Sequence, residues 1–185
     1  RNDLKKKING ISNYEGKLIL DAISYVKPAG INNFSGPGDV KNINLNLSFA
    51  ETMLIGSKWD RVSKCYIENY SEIFDFGLPA FQKLKHQTSR IFAKEFTYLN
   101  YLSSDTDSHL QRKFGKETAL KVKKKCFFLK KKIKHKKLNY QKILLDFDKY
   151  LKNLHYNPGT CADLTVTTLL IDKITDIVSS PITNK

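Results

Sequence analysis

Apolar residues recur along this chain mostly at helical spacing. Between Glu15 and Val26 they place Leu18, Ala22 and Tyr25 on one stripe, with Ile19, Ile23 and Val26 beside it, which predicts a helix. Lys27-Pro28-Ala29-Gly30 ends it, because proline restricts the preceding residue and glycine tolerates positive φ. Residues 30–44, rich in Gly, Asn, Ser and Pro, predict a loop. Ser48-Phe49-Ala50-Glu51 has the spacing of a capping box, so a helix is expected from Ser48 towards Ser57. Asp60 is expected to start the next, reaching about Phe74. Gly77-Leu78-Pro79 separates it from another running from Pro79 to about Leu102. Asp105-Thr106-Asp107 punctuates the chain before a further start. Ala119, Val122, Cys126, Leu129 and Ile133, spaced 3, 4, 3, 4, form one buried stripe of a lysine-rich helix. Leu138 to Leu151 and Thr160 to Val178 supply two more. Strand alternation is weak, confined to Asn42–Leu47, and no internal repeat occurs. The pattern predicts an all-α, single-domain helical bundle over residues 1–185, with a Gly/Pro-rich inserted loop.

Composition narrows the class. With 41% hydrophobic residues among 185, the chain can bury a core, and disorder throughout is excluded. No run of eighteen apolar residues exists, so no membrane partner is expected. Arg1 to Lys7 is basic, but no apolar segment of a signal peptide follows it. The missing initiator Met suggests residues upstream. Cys65, Cys126 and Cys161 are widely spaced and contain no CxxC pair, which points to free thiols, a cytoplasmic location and small buried side chains.

The net charge is +14, carried by 28 lysines and only four arginines. Ten of those lysines lie in the acid-free stretch Lys121–Lys137, so the basicity is local. A basic, non-catalytic nucleic-acid binder is the alternative reading. The segment lacks arginine and any helix-turn-helix, RRM, KH or zinc motif, so nucleic acid is not the expected partner.

Two segments could carry chemistry. In Asn157-Pro158-Gly159-Thr160-Cys161-Ala162-Asp163 a turn delivers the chain to Thr160 as a helix cap, with Asp163 three residues later. That combination makes either a well-capped helix or a phosphate-binding turn beside a metal-holding carboxylate. Asp107-Ser108-His109-Leu110-Gln111-Arg112-Lys113 concentrates an acid, an imidazole and two cations at a helix start. It reads either as surface helix pairs or as part of a metal–polyphosphate site. No Walker loop is present.

Four segments in order resemble the triphosphoribosyl-dephospho-CoA synthase family. Asn157 to Thr165 is similar to its NPGT-x-ADLT signature, and Asp107 to Gly115 to its D-[ST]-x-I-x-R-K-x-G element. Ser48 to Met53 is similar to [ST]-L-x-E-A-M, and Asp60 to Tyr66 to D-x-I-A-x-x-Y. The match spans roughly residues 28–175. Ser63 and Cys161 are mild departures, and the family's upstream Pro-Gly helical segment is lacking, as in a truncated member.

The resemblance implies an all-α, cytoplasmic transferase. Its substrates would be ATP and 3′-dephospho-CoA, and its product the 2′-(5″-triphosphoribosyl)-3′-dephospho-CoA precursor of a lyase prosthetic group, with an acyl carrier protein pathway downstream. Such a glycosyl transfer needs a carboxylate near an oxocarbenium-like sugar, a base for the hydroxyl and a proton donor for adenine. Asp107 and Asp163 are expected to serve as catalytic or Mg²⁺-binding carboxylates, and His109 as a proton donor. Arg112, Lys113, Asn157, Gly159 and Thr160 are expected to bind the nucleotide. Glu51 and Asp60 rank second.

Overall fold

A computed structural model describes residues 1–26, 47–135 and 140–179, excluding the side chains of residues 134 and 135. The predicted loop 30–44, the Pro28 stop and the weak alternation over residues 42–46 lie outside the described residues. Within them the fold is all-α, as the pattern predicts. The helices are α1 (Asn2–Asn9), α2 (Asn13–Val26), α3 (Phe49–Gly56), α4 (Arg61–Ile67), α5 (Leu78–Gln87), α6 (Arg90–Ser104), α7 (Ser108–Phe114), α8 (Lys116–His135), α9 (Tyr140–Asn153) and α10 (Gly159–Ser179). A π-helical segment, Glu72–Gly77, leads directly into α5.

α6 runs through the centre of the main core and packs on α8, α10 and α5. Leu99, Tyr101 and Leu102 on it are almost wholly buried, and each side chain of this size contributes roughly 2–3 kcal/mol on burial. α8 turns its predicted stripe inward: Ala119, Val122, Cys126 and Ile133 are buried and Leu129 half-buried. A smaller cluster of Ile8, Leu20, Phe49 and Met53 ties α1 and α2 to α3, and Tyr70 touches both clusters.

Some elements differ from the sequence reading. α1 is a helix the pattern did not anticipate. α2 buries Gly16 and Leu20, whereas Leu18, Ala22 and Tyr25 are exposed. The reason is close packing: a Cβ on Gly16 would stand 3.0 Å from Cβ of Phe49. The helix expected from Asp60 to Phe74 stops at Ile67. Asn69 and Tyr70 take φ of 53° and 54°, and the Tyr70 N–H closes back on the Cys65 carbonyl at 2.8 Å, as in a Schellman termination. The helix expected from Pro79 to Leu102 is two helices. Thr88 is extended and its hydroxyl donates to the Leu84 carbonyl, while Ser89 caps α6 by accepting from the Phe92 N–H.

The π-helical segment displaces carbonyls from the usual ladder. The Tyr101 hydroxyl reaches one of them, Glu72 O, at 3.4 Å and pairs with Thr168 Oγ1 of α10 at 2.6 Å. Gly77 makes this possible, because a Cβ there would overlap the Tyr101 hydroxyl.

Candidate functional site: a junction of three helix starts

Helix starts leave backbone N–H groups without intrahelical partners. At the junction of α4, α7 and α10 these donors are satisfied partly by each helix's own cap and partly by side chains of the neighbouring helices. Asp107, the cap of α7, accepts from the Leu110 N–H through Oδ1 (3.0 Å) and from the Cys161 N–H of α10 through Oδ2 (2.8 Å). Thr160 of α10 accepts from the His109 N–H of α7 at 3.2 Å. Ser108 of α7 accepts from the Arg61 N–H of α4 at 2.6 Å. Asp60 caps α4 through Oδ1, accepting from Val62 and Ser63, and its Oδ2 pairs with Arg112 of α7. The predicted helix starts therefore meet in space, through reciprocal caps.

The expected residues fall into distinct settings. Asp107 is fully buried, with both carboxylate oxygens occupied by backbone donors. Thr160 is buried inside α10, which begins at Gly159, so its hydroxyl caps α7 rather than its own helix. His109 is half-buried against Gly159, where an added Cβ would stand 2.5 Å from the imidazole Nδ1. Asp163 is exposed, and among the described residues its carboxylate has no hydrogen-bond partner. Asn157 is exposed, and its carbonyl accepts from the Gly159 N–H at 2.8 Å. Lys113 is exposed, with its ammonium over the Phe114 ring. Glu51 stands apart on α3, closing the predicted capping box with Ser48. The backbone and hydroxyl hydrogen bonds of Ser48 hold its carboxyl below the usual range.

Arg61 is a residue the sequence reading did not single out. Its guanidinium, almost wholly buried, is held by both carboxylate oxygens of Glu72, by the Tyr101 and Asp105 carbonyls and by the Ser104 hydroxyl, and it contacts Cys161 Sγ. Burial disfavours its charge, but the Glu72 carboxylate outweighs that and holds its pKa above the ordinary value. One arginine thus joins α4, the π-helical segment, α6 and α10. The available signal was local: a rare arginine directly after a capping Asp. Its partner Glu72 lies beyond a helix break. Burial also pushes the thiol of neighbouring Cys161 well up, leaving it neutral.

Beside this junction opens a cleft of about 290 Å³, lined by residues 57–61 and 64 of the α3–α4 connection and by Asp105, Thr106, Ser108, Gln111 and Lys116. Lys58, Arg61, Lys64 and Lys116 bring four cations to it, Asp60 and Asp105 two carboxylates, and Trp59 an indole. Two of the four motif segments therefore border one cationic opening. Among the described residues no group of three or more His, Cys, Asp or Glu could hold a metal ion. That does not preclude magnesium, which commonly takes one or two carboxylates and completes its shell with substrate phosphates and water.

A family model described as ATP:dephospho-CoA triphosphoribosyl transferase (CitG) matches residues 1–181, a wider span than the four motifs cover. Comparisons with curated proteins and with solved structures return no match. No helix among the described residues is long and apolar enough to cross a membrane. Since the match takes in the capped junction, the cleft and all four motif segments, the chain belongs to the ATP:dephospho-CoA triphosphoribosyl transferase family.

Proposed function

We propose that, in the family's reaction, the triphosphate of ATP is held at the cleft between the α4 start and α7. In that reaction the 2′-hydroxyl of 3′-dephospho-CoA bonds to C1 of the ATP ribose. The C1–N9 bond breaks, adenine departs with a proton, and the triphosphate stays on the transferred sugar. The protein must therefore hold a polyphosphate firmly without splitting it.

The observation that carries this reading is the set of four cations lining one opening between two family motifs. Lys58, Lys64 and Lys116 are placed to meet phosphate oxygens as mobile point charges. Arg61, almost wholly buried and paired with Glu72, shapes the cleft floor rather than adding free charge to it. Arg112 acts by holding Asp60 across the α4–α7 seam, so its role is positioning. Asp107 is likewise assigned to positioning, because it is wholly buried behind its two caps and does not line the cleft.

Asp105 suits Mg²⁺ better: its side chain is half exposed at the cleft, with Oδ1 accepting from the Thr106 N–H at 2.7 Å and Lys123 3.9 Å away. Mg²⁺ bound there would neutralise triphosphate charge. Neither Asp163 nor His109 lines the cleft. Their roles rest on the motif resemblance: Asp163, with free lone pairs on the first turns of α10, is assigned to activate the acceptor hydroxyl, and His109 to protonate adenine. The triphosphoribosyl product would serve as a prosthetic-group precursor for an acyl carrier protein pathway, in the cytoplasm.

The test is incubation of the protein with ATP, Mg²⁺ and 3′-dephospho-CoA, with chromatographic detection of adenine. Adenine should appear only when the acceptor is present. Lys58→Gln combined with Lys116→Gln should raise KM for ATP roughly 100-fold or more, as expected when two charge-assisted contacts worth about 1.5–3 kcal/mol each are lost. ADP or AMP as the product would refute the reaction. An unchanged KM in the double variant would refute the cleft as the triphosphate site.

A further inference from the structure

The outer face of α8 plays no part in the junction or the cleft. Its inner stripe is buried, and the face turned away from the core carries Lys124, Lys131 and Lys132, all exposed, around Phe128, which is 62% exposed. Phe127 beside it is 40% exposed, with the Lys131 ammonium 4.7 Å from its ring centre. No acid occurs between Lys121 and Lys137. A solvated charged helix has no need of two adjacent exposed phenyl rings. Each leaves apolar area in water unless something covers it.

From this we propose that the outer face of α8 docks on an anionic lipid bilayer surface, with the lysines at the headgroups and Phe128 entering the interface. Charge complementarity names the occupant's sign, and two further features name its shape and kind. First, the face is the convex side of a helix, with an aromatic ring on its outer side. Such a face can meet a planar interface, with the lysine stems lying along the surface, their ammonium groups at the headgroups and a single phenyl ring entering between them. Single-stranded nucleic acid is instead held in grooves whose walls carry stacking platforms. Second, all the cations of α8 are lysines. Arginine, which supplies bidentate contacts to phosphates and base edges, is absent from α8. Lysines act on an anionic surface as point charges, each worth roughly fivefold in partitioning. The docking is peripheral, with no segment spanning the bilayer, and so revises the expectation of no membrane partner, which rested on spanning segments alone.

The experiment is co-sedimentation of the whole protein with large vesicles of phosphatidylcholine alone or with 30% phosphatidylglycerol. The expected result is binding to the anionic vesicles only, weakening as salt rises. Lys124, Lys131 and Lys132 changed together to Gln should lower the partition coefficient roughly 100-fold. Phe128→Ser should lower it several-fold at physiological salt, where electrostatics are screened. Adenine release should be unchanged in both variants, which separates a folding or catalytic defect from a docking defect. Equal binding to both vesicle types would overturn the proposal. So would binding to a 20-nucleotide RNA that is tighter than to anionic vesicles and indifferent to Phe128→Ser.

Discussion

Replacing Asp107 by Asn removes one charge and keeps the shape, so it isolates what the buried carboxylate does. Asp107 accepts two backbone N–H bonds, from Leu110 and Cys161, in a site with no solvent exposure. An asparagine has one carbonyl oxygen to offer, and its amide would face the remaining N–H donor against donor. One charge-assisted bond worth about 1.5–3 kcal/mol is lost, and a buried N–H is left without an acceptor. The sum is about 2.5–6 kcal/mol of stability. For a chain of this length that lowers the melting temperature by about 5–24 °C. Urea unfolding followed by far-ultraviolet circular dichroism should show a lower midpoint with an unchanged slope. A variant within about 0.5 kcal/mol of the parent would refute the shared-cap account. If such a stable variant had also lost Mg²⁺-dependent adenine release, Asp107 would be a metal ligand.

Three further outcomes follow from the same geometry. Asp163→Asn should leave stability within about 0.5 kcal/mol, as for a surface change, yet slow adenine release by roughly 10²–10⁴, as for a lost base; an unchanged rate would remove Asp163 from the mechanism. Gly159→Ala should destabilise the protein by pushing His109 off the turn, and His109→Ala in the same chain should recover most of that loss; additive effects in a double-mutant cycle would deny the contact. Burial pushes the thiols of Cys65 and Cys126 up to about 12. Folding therefore favours their neutral forms, and that contribution is complete below the ordinary thiol pKa of about 8.5 and lost as pH rises towards 12. Stability measured by urea titration should fall over that window, and none of the three thiols should react rapidly with a disulfide reagent at pH 8 until the protein is unfolded.

What could be read in the sequence was local. The α8 stripe and the Ser48–Glu51 capping box are set by residues three and four apart, and both stand as expected. Asp60 and Asp107 were recognisable as helix starts for the same reason. The Thr88–Ser89 break was hidden because apolar periodicity continues across it. At the junction the motif residues were visible but their partners were not. Thr160 looks like the cap of its own helix, and only the fold turns its hydroxyl to an amide 51 residues away. Arg61 meets Glu72 only because the chain reverses through two left-handed residues, Asn69 and Tyr70, an arrangement that no periodicity announces.

The cross-helix caps also bear on how the protein opens. An ordinary helix frays from its ends, so first-turn amides exchange with solvent through small local fluctuations. Here the amides of Arg61, His109 and Cys161 are each held by a side chain of another helix. Freeing one requires separating two elements, and Asp107 holds donors of both α7 and α10. These three helix starts should consequently behave as one cooperative unit. Their amide protons should exchange together, at a rate near that of the central helix α6, although they border an open cleft.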